Sequence, residues 1–265
     1  MEMGMTNRVA IVEHKAFEDD VIRAFQLIDY EIPKARLVLI KPNLCGEAEP
    51  TAIELVHALV KLFGQRSGRV VVGDTNSTTK RADERIRLFG LDKKVRESGG
   101  EALGLMKTPI IKVRIPQPLK NDELPLPKLA LDADVLVNAP LLRQHRTTKV
   151  TCCMKNLYGL IATMKFRYHI RRVVHETIID VNSVLRPSVN VVDCTLGGEG
   201  VVMAGREPYF VDVLAARLLG HDPEDLKLLR LASKRFGMPL DFRQVEVLGM
   251  PFEEAHRLVR PIREK

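Results

Sequence analysis

The chain has 265 residues, 45% hydrophobic and 28% charged, which is enough apolar sequence for a full core and excludes a disordered chain. A net charge of +7 describes a Lys/Arg-rich surface or an anionic ligand, while 5% aromatic residues and no Trp argue against stacking platforms for single-stranded nucleic acid. Acidic residues arrive too early for a signal peptide, and no apolar run approaches the roughly 18 residues of a membrane span. With four cysteines, two of them adjacent, a disulfide framework is not expected, and a reducing cytoplasm is the expected location.

In chain order, RVAIV (8–12) reads as a strand, followed by the amphipathic FEDDVIRAFQLID. RLVLI (36–40) is a continuous apolar run of the kind buried in a parallel sheet. TAIELVHALVKLFG has helical spacing, with Thr51 expected to cap it. GRVVVGD (68–74) is a further buried strand, and ADERIRLFG and LDKKVRESGG are two short helices closed by glycine. The Pro-rich 108–130 stretch predicts a hairpin or extended excursion. DADVLVNAP (132–140) restores a central strand, and TKVTCCMKNLYGL fits a helix or tight turn. MKFRYHIRR (164–172) fits a surface helix or a lid. TIIDVNSVL (177–185) reads as helix and SVNVVDC (188–194) as strand. Two more helices, YFVDVLAARLLG and DPEDLKLLRLASKRFG, precede a last strand in FRQVEVLG, with 250–265 as a tail. The expected fold is a single α/β domain over 1–265, with a mainly parallel sheet, helices on both faces and room for two closely packed lobes.

Polar residues gather just after the strands: Lys41 and Asn43, Asp74 with Asn76 and Ser77, Asn138, and Asp193. In a parallel α/β sheet those carboxyl ends form one rim where ligands bind. Each residue alone could simply cap the next helix. Together they predict a site. The phosphate-loop order G-x-x-x-x-G-K-[ST] is absent after Gly73, and the Gly-rich 197–200 stretch is not a dinucleotide signature. Cys152 and Cys153 are adjacent and no C-x-x-C occurs, so no metal ligand set is assigned and both are expected to be packing residues.

Taken in order, these motifs resemble the domain-of-unknown-function 362 family. They are KPN at 41–43, GD-x-x-S at 73–77, NAP-x-x-R-x-H at 138–145, T-x-x-x-KN-x-x-G at 151–159, R-x-H at 167–169, VVD-x-x-x-G-x-EG at 191–200 and VD-x-x-AA-x-x-x-G-x-DP at 211–223. The resemblance covers about residues 8 to 245. It implies an α/β, enzyme-like domain of mostly unassigned activity, linked to iron–sulfur chemistry because many members carry an attached ferredoxin module. No C-x-x-C-x-x-C run occurs in this sequence, so an iron–sulfur cluster is not expected in it. The family's lysine-threonine pair before the histidine is replaced by Arg143 and Gln144, and the loop after Gly200 is short. A fainter likeness of layout to lactate-racemase-like proteins stands as analogy.

The reading that follows is an enzyme acting on a small anionic ligand, a carboxylate or phosphate. Catalytic roles fall to His145, whose charge changes near neutral pH, with Lys155 and Asp193. Ligand binding falls to Lys41, Asn43, Asp74, Asn76, Ser77, Arg143, Asn156, Arg167, His169 and Glu199. Asp74, Asp193 and Glu199 could orient His145 or hold a divalent ion against the ligand, which leaves the cofactor unknown. Two alternatives stand: a non-catalytic or redox accessory protein with a separate ferredoxin-type partner, and a nucleic-acid binder through 143–172, which the missing motifs and sparse aromatics argue against. The substrate, reaction and oligomeric state are not encoded in any motif.

Overall fold

The computed structural model describes residues 7–44, 50–195 and 198–259. Along them run β1 (Arg8–Glu13), α1 (Phe17–Leu27), β2 (Ala35–Pro42), α2 (Ile53–Gly64), β3 (Ser67–Asp74), α3 (Ala82–Leu88), α4 (Leu91–Glu97) and β4 (Glu101–Gly104). A hairpin of β5 (Ile110–Arg114) and β6 (Glu123–Pro127) leads through α5 (Lys128–Asp132) to β7 (Val135–Ala139). A second hairpin, β8 (Arg143–His145) and β9 (Lys149–Thr151), precedes α6 (Cys153–Tyr158), α7 (Phe166–Ile170) and α8 (Val174–Asn182). The chain ends with β10 (Val189–Cys194), β11 (Val201–Gly205), α9 (Pro208–Leu218), α10 (Lys227–Phe236), β12 (Glu246–Gly249) and α11 (Phe252–Leu258).

Eight strands form one sheet in the order β12-β1-β11-β10-β7-β2-β3-β4. Every pairing is parallel except the two made by β11, which runs antiparallel between β1 and β10. The mainly parallel α/β architecture expected from the sequence is therefore present. β11 was not expected, because VVMAG is a short run directly behind a Gly-rich loop and has no flanking turn signal of its own.

The strands divide their side chains strictly by face, as a two-residue period requires. In β1, Val9 and Ile11 enter one apolar cluster, and Ala10 and Val12 the other. In β11, Val201 and Met203 face the first cluster, and Val202 and Ala204 the second. Helices α1, α2, α3 and α4 cover the second face through Phe25, Leu59, Ile86 and Val95. Helices α6, α8, α9 and α10 cover the first through Leu157, Ile178, Leu214 and Leu229. Buried on both sides, the central strands read as unbroken Val/Ile/Leu runs, each such side chain contributing roughly 1.5–3 kcal/mol.

Three local expectations are corrected. Thr51 does not cap α2, whose N-cap is Ala52. Instead its hydroxyl accepts from Asn43 N (2.8 Å) and donates to Ala139 O (2.7 Å), tying two strand ends together. TKVTCCMKNLYGL is neither one helix nor one turn but β9 followed by α6. The expected tail contains α11, whose Ala255 is fully buried. The Pro-rich stretch does form a hairpin, with Pro125 and Pro127 on the edge strand β6 of a two-stranded ribbon. Among the described residues, no helix is long and apolar enough to cross a membrane.

Candidate functional site

The strand ends of β2, β3 and β7 lie side by side, with Lys41 opposite Asn138 and Pro42 opposite Ala139 in the register of β2 and β7. Above them is a cavity of about 200 Å³, lined by residues that include Lys41, Asp74, Arg143, Lys155, Asn156 and Lys165. Asn43, Asn76, Ser77, His145 and His169 also line it. Of the residues expected from the sequence to form a site, Asp193, Arg167 and Glu199 do not line this cavity.

Lys41 and Asp74 occupy its floor. Their charged atoms are 2.8 Å apart, with side chains only 1% and 3% exposed. An ammonium group has three hydrogens. Those of Lys41 go to Asp74 Oδ2 (2.8 Å), Pro42 O (2.8 Å) and Asn156 Oδ1 (3.1 Å). Asp74 Oδ1 in turn accepts from Thr75 N at 2.8 Å. Lys41 therefore organises the floor, and its hydrogens are already committed to protein atoms. That differs from the anion-holding role the strand-end position suggests.

Asparagines carry this floor into the sheet. Asn156 Nδ2 donates to Lys41 O (3.1 Å) and Asn138 Oδ1 (2.8 Å). Asn138 Nδ2 donates to Cys153 O (3.1 Å) and Asn190 Oδ1 (2.8 Å). Asn190 Nδ2 closes the chain on Gly205 O and Arg206 O, both at 3.1 Å. Each amide is buried and needs partners, and each finds them on a different element, so the network fixes α6 against β7, β10 and β11.

His145 ends β8 at the cavity wall. Its Nδ1 accepts the backbone N–H groups of Thr147 and Thr148, both at 3.0 Å, across the β8–β9 turn. Burial pushes its pKa down to about 2, and the charges of Lys155, His169, Arg143 and His175 act in the same direction. The ring is therefore neutral at physiological pH, with its proton on Nε2. The expectation that its charge changes near neutrality does not fit this environment.

The remaining cations come from three elements. Arg143, 1% exposed, starts β8, and Lys155 lies on α6. Lys165, absent from the sequence-derived set, is buried just before α7, and its Nζ donates to Thr75 Oγ1 and Asn76 O, both at 2.6 Å. Tyr158 Oη donates to Lys165 O at 3.1 Å, so the 164–172 segment is anchored over the cavity at its first turn. Thr75, Thr78, Thr151, Tyr158 and Gly159 also line the cavity, although none was assigned a site role from the sequence. Gly159 leaves room for the floor, since a Cβ there would meet Lys41 Nζ at 2.7 Å. The sequence signal for it was its place closing T-x-x-x-KN-x-x-G at 151–159.

Asp193 lies elsewhere, with both oxygens engaged. Oδ2 accepts Ala52 N at the start of α2 (2.8 Å), and Oδ1 accepts Thr195 N (3.0 Å) and Thr195 Oγ1 (2.8 Å). Asp193 therefore ties the end of β10 to the start of α2, an upstream helix, and does not cap the helix that follows its own strand. Asn76 does both jobs, since it lines the cavity while Oδ1 accepts Ala82 N at the start of α3 (3.0 Å). Arg167 is exposed and donates to Tyr168 Oη at 2.9 Å, and Glu199 is exposed in the loop before β11.

The family model described as Domain of unknown function (DUF362) matches residues 38–224. The thylakoid-associated protein sll1697 of Synechocystis sp. is 28% identical over 196 residues, covering 68% of this chain and 58% of that protein. The lactate racemase apoprotein of Thermoanaerobacterium thermosaccharolyticum superposes with a TM-score of 0.57 at 14% identity, covering 78% of this chain and 57% of that one. A Thermotoga maritima protein of known structure overlays at a TM-score of 0.45, also at 14% identity, over 82% of this chain and 58% of that one. The chain thus spans a little over half the length of these relatives, and the racemase likeness is one of fold.

Proposed function

This chain belongs to the family described as a domain of unknown function (DUF362), and on that premise we propose that it is an enzyme whose cavity takes a small carboxylate or phosphate ligand at the carboxyl rim of the sheet. One observation carries the reading. Lys41, Arg143, Lys155 and Lys165 line a cavity of about 200 Å³ whose described lining contains one carboxylate, Asp74, already paired with Lys41.

Lys155 and Arg143 supply charge to the ligand, and the neutral His145 presents Nε2–H to an acceptor oxygen. Asn43, Asn76, Ser77 and His169 are the orienting polar groups. Lys41 and Asp74 hold the floor, and Lys165 holds the overlying segment to the β3–α3 loop. The volume restricts the ligand to a compact molecule, and the absence of a second described carboxylate in the lining disfavours a cationic one.

Thermal unfolding measured against a panel of short mono- and dicarboxylates and phosphorylated small molecules tests this. A ligand that binds only the folded state stabilises it by about 2.7 kcal/mol at 100 times its dissociation constant. The stabilising compounds are expected to be anionic, and the effect to be lost in Lys155→Ala. Stabilisation by neutral or cationic compounds, persisting in that variant, would refute the proposal.

A further inference from the structure

Two adjacent cysteines meet a carboxylate from α9 at one buried place at the start of α6. Cys152 and Cys153 are 1% and 0% exposed, and Asp212 is 4% exposed. The ligating atoms of Cys152, Cys153 and Asp212 all lie within 4.8 Å of one another.

Adjacency alone argues against two cysteines serving one ion, since neighbouring side chains normally diverge. Here the backbone removes that objection. Cys152 sits in a bend with φ −151° and ψ −143°, and Cys153 begins α6, so the chain changes direction between them. The two Sγ atoms come to 3.7 Å from each other. Tetrahedral coordination with metal–sulfur bonds of about 2.3 Å places neighbouring sulfurs about 3.8 Å apart. Asp212 is held toward the same point, its Oδ1 accepting Cys153 N (2.7 Å) and its Oδ2 accepting Met154 N (3.1 Å).

We propose that Cys152, Cys153 and Asp212 form the three-ligand core of a buried structural site for one zinc-type divalent ion. On binding, the two thiols release one proton each to solvent and form two metal–sulfur bonds. Two thiolates and a carboxylate suit a borderline-soft tetrahedral ion, and the closed surroundings leave no position for a substrate, so the role is structural. Because the ligands are sealed from solvent, the ion enters as the chain folds and exchanges slowly afterwards. It would tie α6 to α9 and thereby hold Lys155 and Asn156, one turn further along α6, at the cavity.

The test uses full-length protein dialysed exhaustively against a chelator while folded, followed by elemental analysis. One zinc per chain is expected to remain, to be released only on unfolding, and to fall to well below one-tenth in Cys152→Ser and Cys153→Ser. Wild-type protein refolded with cadmium should show the ultraviolet thiolate-to-cadmium charge-transfer band, a readout that does not depend on the variants folding. Folded wild-type protein without metal, which refolds equally well and with unchanged Tm in chelator, would show a thiol–carboxyl hydrogen-bond cluster and overturn the proposal. Metal retained undiminished in folded serine variants would place it elsewhere and overturn it as well.

Discussion

The Lys41 ammonium sits 2.8 Å from the Asp74 carboxylate at the base of the cavity, and both side chains are sealed from solvent. Strands β2 and β3 are hydrogen-bonded neighbours, so their carboxyl ends bring together two charges that are 33 positions apart in the chain. Asn156 then holds both the Lys41 Nζ and its backbone oxygen, which locks α6 to the same pair.

Breaking that pair from one side leaves a buried charge uncompensated. Asp74→Ala is expected to destabilise the fold by about 3–5 kcal/mol, measured by urea unfolding, whereas a volume-matched apolar replacement of both residues costs much less. Additive losses in the double variant would show that the two residues do not act as a unit.

His145 provides a second prediction, tied to pH. Its folded pKa lies near 2, below the unfolded value near 6.5, so between these values only the unfolded chain binds the proton. Stability from this group is complete above about pH 6.5 and is lost as pH falls toward 2, with a slope of about 1.4 kcal/mol per unit. His145→Gln should remove that slope from the acid limb. Nitrogen-15 NMR should show an unprotonated Nδ1 and a protonated Nε2, unchanged between pH 5 and 8. A titration near pH 6.5 would contradict the arrangement.

Gly159→Ala puts a methyl group 2.7 Å from Lys41 Nζ, which three hydrogen bonds hold in place. A stability loss of about 1–3 kcal/mol is expected. The stabilising effect of an anionic ligand should shrink with it, because the floor must move. Calorimetry with and without ligand checks both effects together.

Asp193→Asn separates the two readings of a strand-end carboxylate. Given its bonds to Ala52 N and Thr195, a loss of about 1–3 kcal/mol is expected, with ligand-induced stabilisation unchanged. Loss of ligand binding in a fully folded variant would return Asp193 to the catalytic set.

Much of the fold is legible in the sequence because burial on both faces writes strands such as RLVLI and GRVVVG as continuous apolar runs. The two glycine-closed helices are legible for a similar reason, since Gly90 and Gly99 adopt the left-handed backbone their positions imply, with φ +65° and +82°. β11 escaped because nothing local distinguishes VVMAG from a loop, and its strand identity comes from neighbours β1 and β10. Lys165 escaped because its partners, Thr75 and Asn76, lie about 90 positions upstream.

By itself the sequence determined most of the element types and the placing of Lys41, Asp74 and Asn138 at strand ends, because propensity and hydrophobic period act over a few residues. Only the tertiary structure decided the roles. Lys41 became a floor and not a ligand hook, Asp193 a helix anchor, His145 a ring whose charged form burial disfavours, and Cys152–Cys153 a converging pair. Each of these turns on which distant donor, acceptor or charge lies within about 3 Å and on how much water is excluded, and neither quantity is local in sequence.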